Sequence, residues 1–254
     1  MQIHLTVPMV LIAGIGVFLA SFMDAIAGGG GIISLPTYLL AGLPMHMALG
    51  TNKISASLGS LASVGRYLKN GYVNWRLAIP SIILALLGST AGTRLQLAVN
   101  EKYLQYLLLP VLPVTAIVVL RQRTFREEPA DISTRRQTSI VLGASLLIGA
   151  YDGFYGPGTG TFLLLAYTGL GGMDVRTASG NVKLVNLSSG IASLLTALLY
   201  GKVFWALGLI ASVFSFAGHF LGAGMTIRNG AKIVRPVVTA ALVLLAVKVV
   251  YELF

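Results

Sequence analysis

The sequence has no cysteine and few charged residues, and both absences limit what the protein can be. Without cysteine there is no disulfide and no thiolate metal site, so redox chemistry does not identify the compartment. Charged residues make up 10% of the 254 residues, whereas a soluble domain has about 25%. So few polar groups cannot cover a water-soluble globule, and the 56% hydrophobic content indicates a protein embedded in the lipid bilayer.

Acidic residues are scarce as well: 8 Asp and Glu stand against 18 Lys and Arg, a net charge of +10. A strongly basic protein suggests nucleic-acid binding, but here the basic residues form no continuous face. Most lie at the ends of apolar runs, and five lie in one interior loop: Arg121, Arg123, Arg126, Arg135 and Arg136. Because this distribution is typical of cytoplasmic loops, we expect a multi-pass protein of the cytoplasmic membrane with no nucleic-acid partner.

Ten apolar runs fill most of the chain. Two of them, 31–42 and 159–170, are short: about 12 residues of helix rise roughly 18 Å, against about 30 Å for the hydrocarbon core. These two are candidate half-helices or re-entrant segments. No basic residue precedes the first run, so we expect a retained helix there and not a cleaved signal peptide. The other eight runs cover residues 7–26, 46–68, 74–98, 103–120, 138–155, 175–199, 203–227 and 231–251.

The two halves of the chain are related in sequence. An offset of 128 residues aligns the glycine cluster after Asp24 with the one after Asp152. Internal repeats in an apolar chain are typical of transporters. An offset of 130 aligns further pairs: Ala48 with Ala178, Gly50 with Gly180, Lys53 with Lys183, Gly71 with Gly201, Trp75 with Trp205, Gly88 with Gly218, and Gly92 with Gly222.

The repeats predict an all-α polytopic membrane protein of two repeats, each with about five helical segments, one of them short. We place the first repeat at 1–120, a basic cytoplasmic loop at 121–136 and the second repeat at 137–254. If every segment crosses the bilayer, the basic residues near 66–76 and 228–235 join this loop in the cytoplasm, and the repeats are inverted. If the short segments dip in and return, the repeats are parallel and residues 228–235 lie outside. The inverted arrangement is preferred.

Each short segment follows an aspartate and a cluster of glycines. Glycine permits sharp turns and leaves backbone N–H groups uncovered, and a helix start carries a positive dipole end, so both clusters are candidate anion sites. The alternative is close packing by small residues, as expected at Gly88 and Gly218. Two clusters at repeat-related places favour a binding site. The candidate residues are Gly28, Gly29, Gly30, Gly31, Gly156, Gly158 and Thr159.

Lys53 and Lys183 lie about two turns into apolar segments, at repeat-related positions. An ammonium inside a bilayer is costly unless it is hydrated or paired. Two of them suggest cations that converge on an anionic substrate, with neighbouring side chains donating hydrogen bonds: Thr51, Asn52, Asn181 and Asn186. The alternatives are ion pairs of Lys53 with Asp24 and of Lys183 with Asp152, or snorkelling to a membrane surface.

Asp24 and Asp152 end the first helix of each half. They either cap the glycine turns, which is the preferred interpretation, or carry protons during transport. His219 is a candidate proton relay, but its repeat counterpart Ser89 cannot titrate, so a packing role is preferred. No metal-ligand spacing, nucleotide motif or nucleophile–base arrangement is present, so neither a cofactor nor an enzyme activity is expected.

At these residues the sequence resembles the TauE/SafE family of membrane proteins, also called the toluene-sulfonate uptake permease family, and within it the YfcA-like branch. The segments 24–36, 48–53 and 151–160 carry the resemblance. It implies a permease built from a duplicated unit, with members linked to sulfite, sulfoacetate and related organosulfur anions, several in the export direction. The family is usually described with about eight spans, against the ten segments counted here. Its motif residues correspond to Asp24, Gly28 to Gly31, Pro36, Asn52, Lys53, Asp152, Gly156, Gly158, Asn181 and Lys183.

The expected function is therefore secondary transport of a small anion, such as a sulfur oxyanion or organosulfonate, by alternating access. A passive anion channel on the same scaffold is the alternative. A membrane enzyme or a purely structural subunit is disfavoured, because no reactive constellation is present and a structural subunit needs no matched buried lysines. The lipid bilayer and the anion are the expected partners, while proton coupling and an oligomeric assembly are left open.

Overall fold

The computed structural model describes residues 5–100, 102–104, 106, 127–234 and 236–237. Within these ranges all regular elements are helical, as the sequence predicts. The predicted segments 103–120 and 231–251 and the first part of the basic loop lie mostly or wholly outside the described residues. The helices are α1 (Val7–Ala27), α2 (Gly31–Leu40), α3 (Met45–Lys69), α4 (Trp75–Ala98), α5 (Thr134–Phe154), α6 (Thr159–Leu165, continued by a π-helical turn at Ala166–Leu170), α7 (Val175–Leu199) and α8 (Trp205–Asn229).

Local sequence sets several helix ends. The Asp174 side chain caps α7 by accepting a hydrogen bond from the Thr177 N–H at 2.9 Å. Gly28 ends α1 with a φ of 78°, a left-handed conformation that glycine adopts without strain. Ser133 caps α5, which therefore begins earlier than predicted and includes Arg135 and Arg136 in its first turn. Arg135 and Arg136 therefore lie in the first turn of α5 and not in an irregular loop.

The first and last described long helices pack side by side in the same direction. Gly218 on α8 lies against Phe18 of α1, and Gly222, one turn further along, lies against Phe22. A Cβ at either glycine would overlap the facing backbone, so these small residues set a close approach of the two helices. The α4–α5 pair is also parallel, with corresponding contacts of Gly149 to Ala85 and Gly153 to Ser89.

The long helix α3 lies at the centre of the bundle. It runs parallel to α8, since Ile54 contacts Gly208 and Gly59 contacts Ser215. It crosses α7 in the opposite direction, with Ser57 against Gly190 near the middle and Tyr67 against Gly180 near the end. Helices α1, α3 and α8 therefore run one way, and α4, α5 and α7 run the other way.

The two short segments turn back along the helices that precede them. Thr37 on α2 packs against Gly16 of α1, whereas the start of α2 lies beside the end of α1. In the second half, the Tyr167 hydroxyl is 2.7 Å from Ser145 Oγ, and Gln137 donates to the Gly171 carbonyl at 2.8 Å. Each half thus holds a broken helix, meaning a helix that is interrupted at its glycine turn and reverses direction there: α1–α2 in the first half and α5–α6 in the second. Both glycine turns lie inside the bundle.

One end of the bundle holds basic residues from three parts of the chain. Arg66 in the last turn of α3 donates to the Phe220 carbonyl near the end of α8. At the same end Glu127 pairs with Arg176 at 2.7 Å and accepts from the Ala231 N–H at 2.6 Å. The described parts of these three basic regions therefore lie at one end of the bundle, although both short segments turn back and do not cross as the preferred count assumed. Four described helices, α1, α4, α7 and α8, are long and apolar enough to cross a membrane by length and composition.

Candidate functional site

A polar cavity lies where the two halves meet. Its volume is about 70 Å³, which is room for a small anion or a few water molecules. Both broken helices and the central helix α3 contribute to its wall. Ten of the predicted site residues and one residue predicted to pack line it: Asp24, Gly28, Gly30, Gly31, Asn52, Lys53, Asp152, Gly156, Thr159, Asn186 and His219.

The two glycine turns touch each other beside this cavity. The Thr161 N–H donates to the Gly28 carbonyl at 3.1 Å, and the Thr161 hydroxyl donates to the Ala27 carbonyl at 2.8 Å. A Cβ at Gly28 would overlap the backbone of Gly160. Close packing therefore explains Gly28, while Gly30, Gly31 and Gly156 also form part of the cavity wall.

Asp24 caps the first glycine turn: its Oδ1 accepts the Gly30 N–H at 3.2 Å. Its second oxygen, Oδ2, is 2.6 Å from the Lys183 ammonium, which also donates to the Asp24 carbonyl. Asp152 differs, because its Oδ2 accepts from Ser189 at 2.6 Å and from Lys53 at 3.0 Å. The Lys53 ammonium also donates to the Asp152 carbonyl at 2.8 Å.

The alternative that paired these charges within each half is wrong. The sequence suggested Lys53 with Asp24 and Lys183 with Asp152, within each half, but each lysine pairs with the aspartate of the other half. The reason is the packing of the glycine turns, which places the end of each broken helix beside the long helix of the opposite half. Snorkelling is also wrong, since Lys53 is 8% exposed and Lys183 is 1% exposed.

The two lysines are not equivalent. The Lys53 side chain lines the cavity and keeps 10% of its surface exposed. Lys183 does not line the cavity; its side chain is 2% exposed and contacts Asp24 on the side away from the cavity. A substrate in the cavity would therefore contact the Lys53 ammonium directly and Lys183 only through Asp24.

The predicted hydrogen-bonding residues divide into two groups. Asn52 and Asn186 line the cavity, and Asn186 Oδ1 is buried without a partner among the described residues. Thr51 instead accepts from the Phe204 N–H at 2.9 Å, and Asn181 donates to the Thr177 carbonyl at 2.8 Å, both within the protein. Gly29 and Gly158 are not part of the cavity wall either, although Gly158 has a φ of 84° at the start of α6.

Sequence reasoning missed the serines of this site. Five line the cavity, and the hydroxyl of Ser57 has no partner among the described residues. The spacing of the three on α3 was the available signal, because serines recur there every two to three residues. The five that line the cavity are Ser21, Ser34, Ser55, Ser57 and Ser60.

His219 was predicted to pack, but it faces the cavity. Its Nε2 is 3.8 Å from Asp24 Oδ2, and its Nδ1 is 3.4 Å from the Ser63 hydroxyl. The described residues contain no group of three His, Asp or Glu side chains that could hold a metal ion. The site therefore consists of two ion pairs, a histidine, amides, hydroxyls and exposed backbone.

A bundle of long apolar helices with two broken helices that meet at a charged internal cavity defines a membrane transporter. Comparison with known families agrees with this class. The family described as "Sulfite exporter TauE/SafE" matches residues 12–249, and the chain belongs to this family.

Similar proteins carry matching descriptions. A probable membrane transporter protein of Haemophilus influenzae is 36% identical over 242 residues, covering 92% of each chain. The probable membrane transporter protein YfcA of Escherichia coli K12 is 32% identical, covering 92% of this chain and 87% of its own. The probable membrane transporter protein ORF9 of a Sinorhizobium species is 32% identical, covering 94% and 91%. No solved structure matches the chain.

Proposed function

We propose that the protein is a secondary transporter that moves a small anion across the cytoplasmic membrane by alternating access. The observation that carries the proposal is the Lys53 ammonium, which lines the cavity between the halves. Its partner Asp152 belongs to the opposite half, so an anion that replaces this carboxylate loosens a contact between the halves. Substrate binding and movement of the halves are thereby linked.

The proposed substrate is a sulfur oxyanion or an organosulfonate, such as sulfite or sulfoacetate. The family description supports this class. A cavity of about 70 Å³ suits an anion of this size. The Ser57 hydroxyl lines the cavity and has no partner among the described residues, so it can donate to an oxyanion, which accepts several hydrogen bonds.

Alternating access is supported by the directions of the helices. The equivalent helices α1 and α5 run in opposite directions, and so do the pairs α3 and α7, and α4 and α8. This is the arrangement expected of inverted repeats, with 1–120 and 137–254 as the two units and 121–136 as a cytoplasmic connection. Two inverted units around one central site can exchange their conformations and so expose the site to each side in turn.

Proton coupling belongs to the same proposal. The two lysines and two aspartates at the cavity sum to zero charge, so an anion brings an uncompensated negative charge into a buried place. A proton taken up with the anion removes this charge. A proton gradient would then drive the anion.

Flux measurements in proteoliposomes test the proposal. A panel of sulfite, sulfate, thiosulfate, sulfonates and carboxylates is first screened by thermal shift, since a bound ligand raises stability. We expect saturable flux of the best anion, and a loss of about 100-fold or more in Lys53→Ala, because an ammonium at about 4 Å stabilises an anion by up to about 4 kcal/mol at a protein surface. Lys183→Ala should also lose transport, and the exposed Lys202→Ala serves as the control.

The outcomes separate the alternatives. Wild-type flux in both the Lys53 and Lys183 variants, with normal expression, would remove the lysines from the mechanism. Flux that does not saturate and never accumulates the anion against its gradient would identify a passive channel. Saturable, concentrative flux that depends on Lys53 supports the transporter.

A further inference from the structure

One titratable side chain at the cavity has no counterpart in the other half. His219 on α8 is 1% exposed and lines the cavity, whereas the repeat-related Ser89 on α4 donates to the Ser189 carbonyl at 2.7 Å. The lysines and aspartates occur in both halves. The asymmetry of the site is therefore concentrated at His219.

The hydrogen bonds around His219 favour one placement of the proton on its ring. The Ser63 hydroxyl donates to the Ser60 carbonyl at 2.9 Å, so its oxygen is left to accept from Nδ1–H of the ring at 3.4 Å. Nε2 then carries the lone pair. It faces Asp24 Oδ2 at 3.8 Å, so a proton on Nε2 would lie beside a carboxylate.

The charged groups around this nitrogen come from several elements. From α1, Asp24 faces it directly, and from α7, Lys183 holds the same carboxylate oxygen. From α3, Ser63 contacts the ring and Lys53 lines the same cavity with Asp152 of α5. Both carboxylates already accept an ammonium, and both ammonium groups already carry their protons. Among the described residues of the cavity wall, His219 is thus the group that can gain a proton without breaking an ion pair.

We propose that His219 is the proton-binding site of the transporter, and that Nε2 takes up one proton when an anion enters the cavity. This inference rests on the proposed anion transport. With an uncharged imidazole the four charges of the ion pairs cancel, and with a bound monoanion the protonated imidazole restores the balance. Asp24 stabilises the imidazolium from one side, and the Ser63 oxygen orients the ring from the other.

The test measures anion binding as a function of pH in purified wild-type protein. The probes are sulfate and thiosulfate, which are dianions, and methanesulfonate, a monoanion whose charge one proton balances; the charge of each is constant from about pH 5 to 8, the range in which histidine responds. Linkage requires the affinity to strengthen by up to about tenfold per unit fall in pH for one coupled proton. In a weakly buffered solution, anion addition should also raise the pH of the medium.

Two variants assign the proton to the residue. His219→Gln keeps a hydrogen-bonding side chain without a titratable ring, so we expect anion exchange between the two sides to persist while proton-driven accumulation and proton uptake are lost. Ser63→Ala keeps the ring but removes the oxygen that accepts from Nδ1, so the midpoint of the pH dependence should fall while the proton count is unchanged. His46→Gln, a buried histidine away from the cavity wall, is the control and should behave as the wild type.

Each result is decisive. Anion binding by the wild type that does not depend on pH overturns the coupling, whatever the variants do, and leaves anion transport intact. If the pH dependence of anion binding is unchanged in His219→Gln, a carboxylate binds the proton instead, and the assignment to His219 is wrong. If that variant does not fold, an unmoved midpoint in Ser63→Ala overturns it in the same way. If the wild type neither binds nor carries any anion of the full panel, these three included, the proposed function fails, and the inference fails with it.

Discussion

The buried ion pair between Lys183 and Asp24 gives a sharp prediction about stability. Asp24→Asn keeps an oxygen that can cap the Gly30 N–H but removes the negative charge. The Lys183 side chain is 2% exposed, so its ammonium would be left without a counterion and without water. Removing one partner of such a pair costs about 3–5 kcal/mol. For a protein of this size that corresponds to a fall in Tm of roughly 6–20 °C.

The matching change at the other pair should cost less. Asp152→Asn strands Lys53, but this side chain is 10% exposed and lines the cavity, where water can solvate it. The double variant Asp24→Asn with Lys183→Met removes both charges and should recover much of the loss. Asp174→Asn replaces one good helix cap by another at a peripheral carboxylate and should change little.

The assay is thermal unfolding of the purified protein in detergent, followed by intrinsic fluorescence and checked by size-exclusion chromatography. The double-mutant cycle isolates the coupling between the two charges. If Asp24→Asn melts at the same temperature as Asp174→Asn, or if the double variant is no more stable than Asp24→Asn alone, the ion pair does not stabilise the fold.

Two further changes test the packing around the site. Gly28→Ala should abolish folding or lower the Tm by many degrees, because the residue has a φ of 78° and the added Cβ would overlap the second glycine turn. The control Gly42→Ala has a similar φ of 89° but lies in open space, so it should cost only about 1 kcal/mol. Similar yields of the two variants on size-exclusion chromatography would contradict the close packing at Gly28. Thr51→Val leaves the N–H at the start of α8 unpaired and should cost about 1–3 kcal/mol while the anion KM stays at the wild-type value, so a raised KM would restore Thr51 to the substrate site.

Much of the fold could be predicted because long apolar runs and glycine turns are local signals. The eight described helices begin and end within a few residues of the predicted segments, and both short segments are helices of reduced length. The start of α5 was misplaced because the cap at Ser133 is a weaker signal than the change from charged to apolar residues. The YfcA-like resemblance agrees with the family match and with the similarity to YfcA of Escherichia coli.

The internal geometry of the site was less accessible. Depth in an apolar run indicated that Lys53 and Lys183 are buried and need partners, which is a local argument. Which aspartate each lysine meets depends on how the two halves pack, and no pattern within one half encodes that. For the same reason Thr51 was taken as a substrate ligand: a hydroxyl beside Lys53 in sequence points toward α8 and not into the cavity.

The crossed pairing also constrains the order of biosynthesis. Asp24 has no ion-pair partner until Lys183, 159 residues further along the chain, has been synthesised. Lys53 likewise has none until Asp152, 99 residues further along, has been synthesised. At about 5–20 residues per second, Asp24 spends roughly 8–30 s in the nascent chain before its counterion exists. During that time the Asp24 carboxylate at the end of the first helix must therefore be either protonated or exposed to water. A chain that stops before α7 lacks Lys183, so its Asp24 carboxylate never meets the ammonium that pairs with it in the complete fold.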